Sequence, residues 1–73
     1  MKSKAKIGDL IYVPSEVILF KNDKSKGDTI EKWKKVDKPI NLLITNIQPS
    51  AYEVYYESEY WLVNKKQVYK NQD

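Results

Sequence analysis

Short apolar segments alternate with turn residues along this chain, and no segment carries a long helical pattern. The apolar run Leu10 to Val13 follows the turn residues Gly8 and Asp9 and stops at Pro14. A second short apolar run spans residues 16–20. Runs of this length, bounded by glycine, proline and aspartate, predict strands.

The middle of the chain contains one clear loop and one ambiguous segment. Residues 21–29, KNDKSKGDT, are rich in the residues that favour turns, which predicts a mobile loop. Residues 30–36, IEKWKKV, place apolar side chains at helical spacing but are too short for a stable isolated helix, so we expect an extended strand. Residues 38–47, KPINLLITNI, place Ile40, Leu42 and Ile44 on one face after the proline and predict another strand.

The strongest strand pattern lies in YEVYYESEYWLVNKKQVY, residues 52–69. A two-residue turn at Glu57 and Ser58 would make a hairpin of its first half. The cross-strand partners would then be Tyr56 with Glu59, Tyr55 with Tyr60, Val54 with Trp61, and Tyr52 with Val63. Alternation assigns to the core face Tyr52, Val54, Trp61 and Val63, and to the opposite face Glu53, Tyr55, Glu57, Tyr60 and Leu62.

These elements predict an all-β domain over residues 7–70, with a basic flexible tail at 1–6 and a short tail at 71–73. The expected architecture is a small five-stranded antiparallel barrel. The predicted core consists of Ile7, Ile11, Val13, Leu19, Ile40, Leu42, Ile44, Val54, Trp61, Val63 and Val68.

Two segments resemble parts of a known fold. KIGDLIYVP, residues 6–14, resembles the opening strand of small Src-homology-3-like barrels, and residues 52–69 are similar to their last hairpin, 3-10 turn and final strand. The chain lacks the acidic loop and paired aromatic residues of the members that bind proline motifs, so the resemblance implies the fold and not that activity. The short, lysine-rich format also resembles accessory proteins of tailed phages, which would imply a phage accessory or host-takeover factor in the host cytoplasm.

Composition narrows the function classes. The chain has 73 residues without cysteine or histidine, so it lacks disulfides, the usual zinc ligands, and the bases of serine and cysteine hydrolases. With only two glycines it has no phosphate-cradling loop. We therefore expect a non-enzymatic protein without cofactor or metal. No apolar run is long enough to span a membrane, and the N-terminal residues lack a signal-peptide pattern, so we expect a soluble cytoplasmic protein.

The first candidate site is the outward face of the predicted hairpin. Tyr55, Tyr60 and Leu62 would form an exposed apolar surface, and the acids around it would be Glu53, Glu57 and Glu59. Tyrosine is favoured at protein interfaces, so this face predicts a protein partner or a second copy of the chain. Two alternatives remain: half-exposed tyrosines are also ordinary strand residues, and a register slip of one position would exchange the two faces.

The second candidate site is basic. All 13 basic residues are lysines, the net charge is +3 and the pI is about 9.1. The residues that could bind single-stranded DNA or RNA are Lys32, Trp33, Lys34, Lys35 and Lys38, with Trp33 as a stacking platform. The alternative is that Trp33 caps the barrel and the lysines form its solvated side, because Glu31 and Asp37 interrupt the charge.

Overall fold

The chain is all-β in the computed structural model, which describes residues 5–23 and 29–70. Its strands are β1 (Leu10–Val13), β2 (Ile18–Asp23), β3 (Thr29–Lys35), β4 (Ile40–Ile47), β5 (Ala51–Tyr56), β6 (Glu59–Asn64) and β7 (Tyr69–Lys70). A 3-10 turn at Lys65–Gln67 precedes β7, and the Asn64 side chain caps it by accepting a hydrogen bond from the Lys66 amide at 2.9 Å. No helix in residues 5–23 and 29–70 is long and apolar enough to cross a membrane.

All seven strands belong to one antiparallel sheet in the order β3-β2-β6-β5-β4-β1-β7. The sheet is open, because within the described part of the chain no ladder joins its edge strands β3 and β7. The sheet thus has seven strands, two more than the sequence pattern predicted. The segment after the predicted loop pairs along β2 as a full strand, and the two residues of β7 pair with β1.

The core lies on the inner side of this sheet, and strands β1, β2, β4, β5 and β6 supply most of it. The core cluster consists of Ile11, Val13, Val17, Leu19, Val36, Leu42, Ile44, Val54, Trp61, Val63 and Val68. The predicted core is confirmed at every position except two. Ile40 is only partly buried against the cluster, and Ile7 is 62% exposed.

Ile7 is exposed because it precedes the point where the chain joins the sheet. Gly8 adopts φ +96°, a left-handed conformation that glycine tolerates, and its amide donates to the Ile44 carbonyl at 2.9 Å. The Ile44 amide in turn donates to the Asp9 carbonyl at 2.9 Å. Pairing with β4 therefore starts at Gly8, one residue too late to draw Ile7 into the core.

Val36 is a core residue that the sequence pattern missed. Its amide donates to the Val17 carbonyl at 2.9 Å, and its carbonyl accepts from the Glu16 amide at 2.7 Å. Glu16 has φ +74°, so the turn between β1 and β2 folds back onto the end of β3. This closed turn buries Val17 and Val36 next to each other, although the two residues are distant in sequence.

The predicted hairpin is confirmed in register. Tyr56 pairs with Glu59, Tyr55 with Tyr60, Val54 with Trp61 and Tyr52 with Val63. Glu57 and Ser58 form the two-residue turn with φ +51° and +68°, which is the type I′ geometry that fits the twist of a hairpin. Tyr52, predicted to lie in the core, is half-buried and packs against it.

Parts of the predicted loop and tails can be placed. Residues 21–23 belong to β2 and Thr29 begins β3, while residues 24–28 of the predicted mobile loop lie outside the described residues. Of the predicted N-terminal tail, Ala5 packs against the core and the Lys6 amide donates to the Asp9 carboxylate at 2.9 Å. Residues 1–4 and 71–73 also lie outside the described ranges.

Candidate interaction face

The side of the sheet opposite the core, here called the outer face, carries a row of exposed apolar residues. Leu10 pairs with Leu43, and Tyr55 pairs with Tyr60. Because Ile44 pairs with Val54, the preceding residue Leu43 lies beside Tyr55. Leu10, Leu43, Tyr55 and Tyr60 therefore form one line across the adjacent strands β1, β4, β5 and β6, which we call the tyrosine row.

The members of the tyrosine row are all substantially exposed, from 44% for Leu43 to 56% for Tyr60. The rings of Tyr55 and Tyr60 contact each other edge to face, with centroids 5.2 Å apart. Such a pair limits the freedom of both side chains. The face thus presents a partly preformed aromatic surface to solvent.

A second row runs beside the first, displaced by two residues along each strand. Trp33 pairs with Phe20, Phe20 with Leu62, and Leu62 with Glu53. Leu62 was predicted to be an exposed contact residue, but it is only 9% exposed. Its cross-strand neighbours Phe20 and Glu53 flank it on both sides, so Leu62 forms the floor of the outer face rather than its surface.

A groove of about 550 Å³ opens along this second row. Its apolar lining includes Phe20, Leu62 and Tyr60. Its polar lining includes Glu31, Glu53 and Lys21, and the Lys21 ammonium pairs with Glu59 on the inner side. Tyr60 belongs to both the groove and the tyrosine row. The two features are therefore one continuous surface.

Two irregularities in the sheet lie at the groove carboxylates. Glu31 is the extra residue of β3 where the pairing with β2 shifts register, since Lys32 pairs with Lys21 and Ile30 with Asn22. Glu31 lies two residues before Trp33, on the same strand, and lines the groove.

Thr45 is the extra residue of β4 at the second irregularity, opposite Glu53. Its hydroxyl lies 2.9 Å from Glu53 Oε1 and 3.2 Å from the Glu53 carbonyl oxygen, and its proton can be donated to either. This contact orients the Glu53 carboxylate. Of the three acids predicted around the tyrosines, Glu53 is the one that lines the groove.

Glu59 lies on the inner side of the sheet instead, among lysines above Trp61. It forms ion pairs with Lys21 and, at 3.6 Å, with Lys32. The two ammonium groups also lie 4.8 and 5.9 Å from the centroid of the Trp61 ring. The hydrogen bond and charge of Lys21, together with the charge of Lys32, hold the pKa of Glu59 below its ordinary value.

Glu57 is neutralised in a similar way at the tip of the hairpin. Its carboxylate lies 3.0 Å from the Lys34 ammonium, which is 5.9 Å from the Tyr56 ring centroid. The hydrogen bond to Glu57 raises the pKa of Lys34 above its usual range. Two lysines of the predicted basic site, Lys34 and Lys32, therefore pair with Glu57 and Glu59, two of the acids predicted around the tyrosines.

The predicted nucleic-acid residues do not share one surface. Trp33 is exposed and pairs with Phe20 on the outer face, whereas Lys32 and Lys34, its sequence neighbours, reach acids on the inner side. Lys35 is two residues from Trp33 and so shares its face. Lys38 is exposed in the bend that follows β3.

Phe20, Leu10 and Leu43 are site residues that the sequence interpretation missed. A signal for them was present. The runs LIYV in β1 and LLI in β4 are apolar at consecutive positions, which indicates strands with apolar side chains on both faces. The pattern therefore indicates that the outer face is apolar on β1 and β4 as well as on the hairpin.

This surface offers apolar area and two carboxylates. No protein-family model, curated protein or solved structure was found to match the chain significantly.

Proposed function

We propose that this chain is a non-enzymatic interaction module that binds another protein across the tyrosine row. The observation that carries the proposal is the alignment of four large apolar side chains on four adjacent strands, each about half exposed. An isolated exposed leucine is ordinary on a protein surface, but contiguous apolar residues mark interaction sites.

The chemistry of the row supports a protein partner. Tyrosine supplies a large contact area with few rotatable bonds, and its hydroxyl group remains compatible with water in the unbound state. The edge-to-face contact of Tyr55 and Tyr60 reduces the ordering that binding would require. Leu10 and Leu43 extend this apolar surface across β1 and β4.

The ion pairs favour a protein over the alternative, single-stranded nucleic acid. Lys32 and Lys34 engage Glu59 and Glu57, so their charges are already partly compensated. Trp33, the proposed stacking platform, lies on the opposite side of β3 from these lysines. Of the three lysines of β3 in that site, only Lys35 shares the face of Trp33, so the ring has one strand lysine beside it rather than a basic row.

The finer architecture is part of the proposal: the sheet is a partly open Src-homology-3-like barrel. The five strands that supply the core, β1, β2, β4, β5 and β6, equal the expected barrel strands in number, and β3 and β7 extend the two edges. Backbone nuclear Overhauser effects between the edge strands β3 and β7 would support this closure. Their absence in a folded sample would contradict it.

The experiment compares two tyrosine pairs on the same protein. One variant carries Tyr55→Ala and Tyr60→Ala. The matched control carries Tyr12→Ala and Tyr69→Ala, which removes the other tyrosine contact, with centroids 6.4 Å apart, from β1 and β7. Each serves as bait in nuclease-treated lysate of the source cells, and light scattering measures self-association.

We expect the Tyr55 and Tyr60 variant to lose at least about 90% of the captured protein or of the self-association, because tyrosine anchors at interfaces contribute about 2 kcal/mol or more. The control should retain both. Thermal midpoints are measured for each variant. The proposal would be overturned if both folded variants retained the captured protein and the self-association equally, or if nuclease abolished the capture.

A further inference from the structure

The groove beside the tyrosine row has two properties that together specify an occupant. Its apolar lining, Phe20, Leu62 and Tyr60, can accept a hydrocarbon chain, and Glu31 and Glu53 add carboxylates to the same groove. An apolar stem that ends in a cation has this composition. Lysine and arginine side chains are the protein groups that combine the two.

Three of the described acids form ion pairs, whereas the groove carboxylates, like Glu16 and Asp37, do not. Glu57, Glu59 and Asp9 each form an ion pair with a lysine. Glu31 and Glu53 form none within residues 5–23 and 29–70. In a chain with 13 lysines and a net charge of +3, two acids that line one groove and have no lysine partner among the described residues leave a local charge to be matched.

We propose that this groove receives a lysine or arginine side chain of the protein that binds the tyrosine row, an inference that rests on the proposed function. The methylene groups of the partner's side chain pack on Phe20 and Leu62. Its cation pairs with Glu31 and Glu53 and contacts the edge of the groove at the Tyr60 ring. Apolar residues that flank the cation in the partner lie on the tyrosine row.

The sheet irregularities support a fixed position for this cation. The Glu53 carboxylate is held by the hydroxyl of Thr45, the extra residue of β4, and Glu31 is the extra residue of β3. Carboxylates held in place bind a cation with less ordering than free surface side chains do.

A random peptide library selected on the purified protein tests the proposal without knowledge of the natural partner. The selected peptides should carry lysine or arginine next to an apolar residue. Binding of one such peptide is then measured to three single variants, Glu31→Gln, Glu53→Gln and the control Glu16→Gln. Glu16 is an exposed acid in the turn between β1 and β2.

We expect Glu31→Gln and Glu53→Gln each to weaken binding about tenfold, because each removes a charge-assisted contact. Glu16→Gln should leave the dissociation constant unchanged. Thr45→Val should weaken binding less than Glu53→Gln, since the carboxylate remains but loses its orientation. Thermal midpoints confirm that every variant is folded.

The possible failures are distinguishable. Peptides that depend on Tyr55 and Tyr60 but lack basic residues, or that bind both glutamine variants normally, would overturn the cation site and leave the proposed function standing. Selection of no peptide that depends on Tyr55 and Tyr60 would count against both. Selective binding of a mixed-sequence single-stranded oligonucleotide at the groove would also overturn the proposal, because carboxylates repel phosphate.

Discussion

Trp61 connects the apolar core to the charged surface in a single side chain. It is 5% exposed, and its Nε1 donates to the Tyr56 carbonyl at 3.2 Å. Lys21 and Lys32 place their ammonium groups near the ring. A large aromatic in this position satisfies its polar atom, fills the core and attracts cations at once.

We expect Trp61→Ala to lower the free energy of unfolding by about 3–5 kcal/mol, because it leaves a large cavity. A domain of this length has only about 4–11 kcal/mol in total, so the loss is a large fraction of the stability and the variant should melt well below the parent. Chemical denaturation followed by circular dichroism measures the change. Trp33→Ala, the same truncation at a 64% exposed position, should cost less than about 1 kcal/mol. Equal losses at both positions would contradict the burial of Trp61.

Glu59 gives the stability a dependence on pH. Its pKa is lowered by Lys21 and Lys32 from an ordinary value near 4.5, so folding favours the ionised form. This contribution is present above the unfolded-state pKa and is lost as pH falls through the lower folded-state pKa. We expect Glu59→Gln to melt at a lower temperature than the parent at pH 7, with the difference shrinking below about pH 4.5. A difference that stays constant down to pH 2.5 would contradict this assignment.

Among the elements, the β5–β6 hairpin is the most regular, yet its turn is built without glycine. Glu57 and Ser58 both have positive φ, which costs an L-residue roughly 1–2 kcal/mol. Glu57 gains its contact with Lys34 in that position, whereas Ser58 has no comparable side-chain contact among the described residues. The strain at Ser58 is therefore relieved most simply by glycine.

We expect Ser58→Gly to raise the free energy of unfolding by about 0.5–1 kcal/mol. Glycine removes the steric cost of positive φ, and this gain exceeds the additional chain entropy that glycine loses on folding. Urea denaturation measures it. The control is Ser15→Gly, in a turn where serine keeps negative φ and glycine should be neutral or destabilising. Stabilisation by Ser15→Gly but not by Ser58→Gly would be the opposite of this expectation.

The same hairpin shows which structural features the local sequence predicts and which it does not. Its register, its turn and its core face followed from period-two alternation around Glu57 and Ser58, because these depend on neighbours in sequence. The burial of Leu62 did not follow, since it depends on Phe20 of β2, a strand distant in sequence. The position of Glu59 depends on Lys21 in the same way.

For the whole molecule, the class of fold was predictable and the number of strands was not. Short apolar runs without helical periodicity indicated an all-β protein, and most of the core was assigned correctly from alternation. The edge strands β3 and β7 carry few core residues, so hydrophobic pattern says little about them. The bulges at Glu31 and Thr45 shift register by one residue and leave no composition signal.

The cluster of lysines above Trp61 also decides how the protein responds to acylation. Every cationic side chain of this protein is a primary amine, so an acetyltransferase or an acylating reagent could in principle erase all of its side-chain positive charge. Lys21 is the more shielded of the two amines, with its side chain 26% exposed against 55% for Lys32. Acetylation at Lys32 would leave Glu59 its other cation, whereas acetylation at Lys21 would also strip the nearer charge from the indole ring. The two modifications, alike in mass, would therefore differ in what they do to the fold.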